Sequence, residues 1–327
     1  MKLLLLPLLA LLALASQGLA QYPAPGECTG NCWSHDPGFY QRVSDGRYYR
    51  FSTGEGIHIH ASNSLTGPWE DVGQALPGGS TVDHPGSGNL WAPDIHYQPD
   101  TKLYYMYYSI STLGSRDSII GVATSPNLQP SSWTDHGILF RSDPNGPYNA
   151  IDPNWISVNG SPILIFGSYW NGIHEIPLSG PLTLAPGAPA WNVAYNSTGS
   201  HSVEAGYIFY RRGWYYLTFS SGRTGSFDTN MPPPGEEYRI VVCRSREALG
   251  GFVDRTNRSC LAENGGTTLL ASHDNVYGPG GQGVFEDSSR GWVLYYHYAD
   301  RTIGLAKEQY RFGWNVLQWG DDGWPTV

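Results

Sequence analysis

The sequence predicts an all-β chain folded as a five-bladed β-propeller, on three observations. Aromatic residues make up 13% of the 327 residues and charged residues only 14%, with 41 Gly and 24 Pro, a balance that favours many short strands joined by turns over helices. Five stretches repeat one pattern: a polar position, a short apolar or aromatic run, a turn with Gly, Asn, Asp or Lys, and an aromatic-rich run. Within them Asp36, Asp94, Asp152 and Glu204 recur at intervals of 58, 58 and 52 residues, somewhat longer than the ~40–50 of common propeller repeats. The extra length belongs in loops, which commonly carry function.

The first unit is HDPGFYQRVSDGRYYRFST from residue 35, followed by a further strand in IHIHAS. The second is APDIHYQPDTKLYYMYYSI from 92, with IIGVATS after it. AIDPNWISVNGSPILIFGSY from 150 and GIHEIPL make the third; SVEAGYIFYRRGWYYLTFSS from 202 and RIVVCRS make the fourth. The fifth is GQGVFEDSSRGWVLYYHYA from 281, with TIGLAKE expected as its next strand. Each reads as strand, turn, strand, rich in β-branched and aromatic residues, and three or four strands repeated five times is how a propeller is written. First strands of propeller blades line the central axis, so residues far apart in sequence converge there.

Residues 1–20, MKLLLLPLLALLALASQGLA, have the single Lys, Leu-rich run and small residues of a secretory signal peptide cleaved after Ala20. Pro7 and the lack of a cationic flank argue against a membrane anchor. The expected product is a secreted, extracellular protein, with residues 21–327 forming one propeller domain undivided by any linker. Losing Lys2 takes the formal charge from -9 to -10, which argues against nucleic acid or another polyanion as partner; a monomer without membrane association is expected. Cys28, Cys32, Cys243 and Cys260 allow three disulfide pairings, and proximity favours 28 with 32 and 243 with 260. Asn159, Asn196 and Asn257 begin N-x-S/T triplets, with Pro162 disfavouring the first.

A ring of carboxyls suits hydrolysis of a glycosidic bond, which needs one protonated carboxyl for the leaving oxygen and one ionised carboxyl for water or carbon. Clustered like charges raise one pKa and so supply both states. A single Asp at a strand start more often caps a turn, but HDP, AIDP and SVEAG recur at matching repeat positions. Other chemistries lack support: Gly278, Gly280 and Gly283 match GxGxxG without a following helix, and there is neither a GxSxG elbow nor an HExxH motif.

The ordered set HDP, WAPD, IDP, SVEAG, GPGGQGV and YYHYAD resembles glycoside hydrolase family 43, and within it the secreted fungal endo-1,5-α-L-arabinanases, over nearly all of residues 28–327. The resemblance implies an inverting enzyme acting on linear arabinan and arabino-oligosaccharides from pectin side chains. It implies Asp36 as general base, Glu204 as general acid and Asp152 as the residue that tunes and orients the acid. Inversion implies a base-to-acid separation of ~6.5–9.5 Å. By the same resemblance His297 is the candidate ligand of a calcium or sodium ion on the axis, with water completing the shell, and no organic cofactor is implied. The loop GPGGQG departs from many bacterial members, which carry a His there, and resembles the fungal subgroup.

Asp94 is read as structural, because the family gives it no catalytic role. Substrate contacts are expected from His35, Trp91, Ser168 and Trp170, near the expected channel mouth. Residues 222–239, the longest irregular insertion, are expected to shape the rim that decides endo or exo action. An exo-acting arabinofuranosidase or xylosidase, or a noncatalytic carbohydrate-binding propeller, are the competing readings.

Overall fold

The computed structural model describes residues 22–199, 201–225 and 227–327; the expected signal segment and its cleavage point lie outside them. Five antiparallel sheets follow one another along the chain as five blades. Blade I comprises Gly38–Gln41, Tyr48–Ser52, His58–Ser62 and Glu70–Gln74, and blade II comprises Asn89–Gln98, Leu103–Ile110, Ile119–Ser125 and Thr134–Arg141. Blade III is built from Ile151–Val158, Ser161–Gly167, Ile173–Gly180 and Trp191–Ala194; blade IV from Val203–Arg211, Trp214–Ser221, Arg239–Ser245 and Thr267–Leu270. Blade V has Val276–Asp287, Gly291–Asp300 and Arg311–Val316.

Strand alternation explains why the second strands carry apolar and aromatic residues on both faces. In blade II, Tyr104, Met106 and Tyr108 pack with Tyr49 and Phe51 of blade I. The intervening Tyr105 and Tyr107 pack with Leu164 and Phe166 of blade III. Both faces are buried between neighbouring blades, and the same arrangement joins III to IV, IV to V and V to I.

The segment TIGLAKE, expected as a strand of blade V, is instead a turn and a short 3-10 helix. The Asp300 carboxylate accepts both the backbone N–H and the hydroxyl of Thr302, at 2.8 and 2.6 Å, and the turn closes with Gly304 N–H bonded to Asp300 C=O. The third strand starts later, at Arg311. Its outer neighbour comes from the other end of the chain: Gly26 N–H donates to Trp314 C=O at 2.7 Å, and Phe312 N–H to Cys32 C=O at 2.8 Å. This closes the ring of blades. Arg50, fully buried between the rings of Trp69 and Phe312, donates to the carbonyls of Asn31 and Trp33 and holds the closing segment in place. Disulfides join Cys28 to Cys32 within that segment and Cys243 to Cys260 in blade IV.

Candidate active site

At the mouth of the axis each blade places one residue in the left-handed backbone region: Asp36, Ala92, Asp152, Ala205 and Gly281, with φ of 43, 44, 53, 54 and 58°. In blades II to V the strand ladder slips at this point. Four of the five carry a Cβ, so the conformation costs about 1–3 kcal/mol at each and must be held by its surroundings. Each of these residues has its backbone N–H taken by a side chain of the preceding blade. Thr53 accepts from Ala92 at 2.9 Å, Ser109 from Asp152 at 2.9 Å, Ser220 Oγ from Gly281 at 3.0 Å, and His297 Nδ1 from Asp36 at 3.1 Å. In blade III the matching position is Gly167, which pairs with Ile151 as Ser109 pairs with Trp91. The Asp152 carboxylate itself fills that place, accepting Ala205 N–H at 3.0 Å.

This frame corrects the alignment of the acidic residues. Asp36 and Asp152 are true equivalents. Asp94 stands two residues beyond its blade's left-handed residue, equivalent to Asn154 and Tyr207, and Glu204 stands one residue before it. Equal sequence spacing concealed these offsets. Asp94 is buried, and one of its oxygens accepts from His96, from Asn154 Nδ2 and from Trp155 N–H at 2.5, 3.1 and 2.8 Å. Asn154 in turn accepts Ile208 N–H, so Asp94 belongs to a belt tying blades II, III and IV together.

Asp36, Asp152 and their equivalents line a narrow axial cavity of about 30 Å³, room for about one water. Above it, Glu204 shares a cleft of about 280 Å³ with Trp91, Tyr169, Trp170, Leu113 and Thr224. Trp91 and Trp170 therefore meet the same space as Glu204, and Arg116 lies 5.2 Å over the Trp170 ring. Ser168 does not: it is fully buried, and its hydroxyl accepts the N–H groups of Asn149, Trp170 and Asn171. The expected sugar contact is replaced by a turn that sets Trp170. His35 packs edge-on against His297 and Tyr310, with Nε2 3.5 Å from Asp36 Oδ2.

The carboxyls are pushed in opposite directions. Desolvation is the largest single influence on Asp36 and would raise it, but His35, His297 and the Thr53 hydroxyl together hold it well below the usual carboxylate range. Burial, reinforced by the charge of Asp36 and opposed by the Tyr238 hydroxyl, pushes Glu204 up to about 7. Asp152 is raised as well, by burial first and then by Glu204 and Asp36. The pair Asp152 and Glu204 thus retains a proton where Asp36 is ionised. Desolvation in the same pocket lowers His35 to about 4, leaving it neutral near pH 7.

Gly281 permits the contact between Asp36 and His297. A Cβ there would lie 2.5 Å from Asp36 Oδ1 and 2.7 Å from His297 Nδ1, atoms that now stand 3.3 Å apart. Sequence reasoning missed the capping residues Thr53, Ser109 and Ser220, and with them Tyr238 and Gln282. The first three end the aromatic-rich run of their repeats, and that shared position was the available signal. Gln282 bridges Ser220 Oγ and Ala205 C=O.

The family model described as glycosyl hydrolases family 43 matches residues 32–325. An arabinan endo-1,5-alpha-L-arabinosidase C of Emericella nidulans is 74% identical over 97% of this chain and 98% of its own length. Among solved structures, the Cellvibrio cellulosa alpha-L-arabinanase complexed with arabinohexaose matches with a TM-score of 0.80 at 28% identity, covering 90% of this chain and 95% of that one. An exo-1,5-alpha-L-arabinanase from a bovine ruminal metagenomic library matches with a TM-score of 0.79, also at 28% identity, over 94% and 98% of the two chains.

Proposed function

The chain belongs to glycosyl hydrolases family 43, and from that premise we propose that it cleaves internal α-1,5 links of linear arabinan and arabino-oligosaccharides with inversion of configuration. The substrate rests on the near-full-length identity to an arabinan endo-1,5-arabinosidase. The chemistry rests on one observation: carboxyls at one channel mouth are biased in opposite directions, Asp36 toward ionisation and Glu204 toward protonation.

In the proposed reaction Asp36 takes a proton from a water as its oxygen attacks the anomeric carbon. The bond from that carbon to the leaving oxygen breaks, its electron pair stays with the oxygen, and Glu204 supplies the proton. Asp152 orients the acid by gripping the amide of Ala205, the next residue along the chain. Trp91 and Trp170 offer apolar faces on which a sugar ring stacks.

The residues near the axis fit a cation of the kind the family resemblance implies. His297 Nε2 is buried and has no hydrogen-bond partner among the described residues, and His35, Asp36 and His297 each offer a ligand atom within 4.8 Å of the others. With its proton on Nδ1, facing Asp36 Oδ1 in place of accepting the Asp36 amide, His297 would hold calcium or sodium through Nε2 with water completing the shell; when bound, the ion would supply positive charge beside Asp36.

The same reading includes secretion. Two disulfides suit an oxidising compartment, and among the described residues no helix is long and apolar enough to cross a membrane. One chain carries all three carboxyls, so a monomer suffices.

The test is the product-size profile from linear debranched arabinan over time, with the Glu204→Gln protein as control. Early mixed oligosaccharides with a rapid fall in viscosity, absent from the control, are expected. Single sugars released with slow viscosity loss would make it an exo enzyme, a reading favoured by the similarity to the exo-acting neighbour; saturable binding without products would make it a binding protein.

A further inference from the structure

The insertion 222–239 does more than border the cleft. Its two ends are tied together, Arg223 N–H to Glu236 C=O at 2.8 Å and Tyr238 N–H to Arg223 C=O at 2.9 Å. Between them Phe227 is buried against Tyr277 and Tyr310. The insertion is therefore docked on blade V, and its last turn delivers Tyr238, almost fully buried, to the catalytic cluster. The Tyr238 hydroxyl donates to Glu204 Oε1 at 2.7 Å. Space for the ring is made by Gly280, where a Cβ would lie 2.2 Å from it, and the ring stacks at 6.2 Å on His297.

We propose that Tyr238 is a positioning residue for the general acid: by occupying Glu204 Oε1 it biases the transferable proton toward Oε2 and fixes the carboxyl plane. With the phenol donating, Oε1 serves best as the carbonyl-type acceptor, and a neutral Glu204 is biased to carry its proton on Oε2. Without the phenol the carboxyl rotates and either oxygen carries the proton, so a smaller share of bound complexes has it aimed at the leaving oxygen. Other groups around Glu204 do not duplicate this contact. Asp36 from blade I and Asp152 from blade III are carboxyls, His35 and His297 face Asp36, and Tyr310 stacks on His297.

This inference rests on Glu204 being the acid, and the experiment separates the two. Tyr238→Phe and Glu204→Gln are compared on arabinan, whose leaving group needs a proton, and on an aryl arabino-oligosaccharide with a nitrophenol leaving group, which needs little help. Tyr238→Phe is expected to lower kcat on arabinan about tenfold to a hundredfold, short of the full contribution of a general acid, with a fall of less than about threefold on the aryl substrate and KM little changed. The ratio of the two activities does not depend on the folded fraction, so misfolding cannot imitate the result. Its alkaline limb should also move to higher pH, because the lost hydrogen bond favoured ionised Glu204. An unchanged ratio in Tyr238→Phe, with Glu204→Gln selectively losing arabinan, would overturn the role of Tyr238. Full arabinan activity in Glu204→Gln would instead overturn the assignment of the acid.

Discussion

Asp152 accepts the backbone N–H of Ala205 at 3.0 Å, a contact that a Thr, Ser or His side chain makes in the other four blades. The carboxylate has access because blade III carries Gly167 at the capping position. Its Cα lies against the same amide: a Cβ there would be 3.1 Å from Ala205 N and 3.2 Å from Glu204 Cα. Gly167→Ser should restore the cap used by Ser109 and Ser220, detach Asp152 from Ala205 and shift Glu204. Steady-state kinetics on arabinan should register a fall in kcat of about tenfold or more, as expected when a reacting group is misplaced, with a smaller change in KM. Wild-type kcat in the folded variant would mean that Asp152 does not act through this amide.

His297 performs two tasks that a substitution can divide. It caps the Asp36 amide, as Ser220 caps Gly281, and its Nδ1 also stands 3.3 Å from Asp36 Oδ1. His297→Ser keeps a capping hydroxyl and removes the contact with the carboxylate. Thermal unfolding should shift by only a few degrees, which corresponds to about 1–2 kcal/mol in a chain of this size, whereas kcat should drop at least about tenfold. Equal losses of stability and activity in His297→Ser would reduce the residue to a packing role.

The catalytic pH profile should be broad on its acidic side and limited near neutrality. Asp36 is held low, so it stays ionised well into acid; Glu204 is pushed up to about 7, so it keeps its proton until then. Activity therefore rises at low pH as Asp36 ionises and falls as pH passes through about 7 and Glu204 loses its proton. A profile of kcat/KM against pH checks both limbs, and an alkaline limb near 4.5 would contradict the environment described for Glu204.

The architecture was legible in the sequence because a propeller blade buries both faces of its inner strands. Runs such as LYYMYYSI and SPILIFG are apolar or aromatic on both faces through their central positions, and their fivefold recurrence gave the blade count. HDP and AIDP also disclosed a true equivalence, Asp36 with Asp152. What sequence spacing could not convey is backbone register at the left-handed residues. One slipped ladder position separates Glu204 from that ring and two separate Asp94 from it, and side chains one position apart face different space. Tyr238 was hidden for another reason. It sits at the end of an irregular insertion whose path depends on how Phe227 docks on blade V, a tertiary contact with no local pattern.

Another buried acid, outside the ring of carboxyls, should govern stability. Glu175 in blade III is fully buried, and neither carboxylate oxygen has a hydrogen-bond partner among the described residues. Burial pushes it up to about 8 from an ordinary 4.5, with the nearby Gly250 amide pulling the other way. Below about pH 4.5 the group is protonated in both folded and unfolded chains, and the fold suffers no penalty. As pH rises from there toward 8, the unfolded chain gains by ionising while the folded one holds its proton, so stability declines by at most about 1.4 kcal/mol per unit. Above 8 both states are ionised and the decline from this group ends. Glu175→Gln removes the titration while keeping nearly the same shape, so its unfolding free energy, measured by denaturant titration between pH 4.5 and 8, should fall less steeply than that of the parent. Parallel pH curves for the two proteins would show that Glu175 is ionised in the fold, stabilised by water or by a small rearrangement of the 246–251 segment.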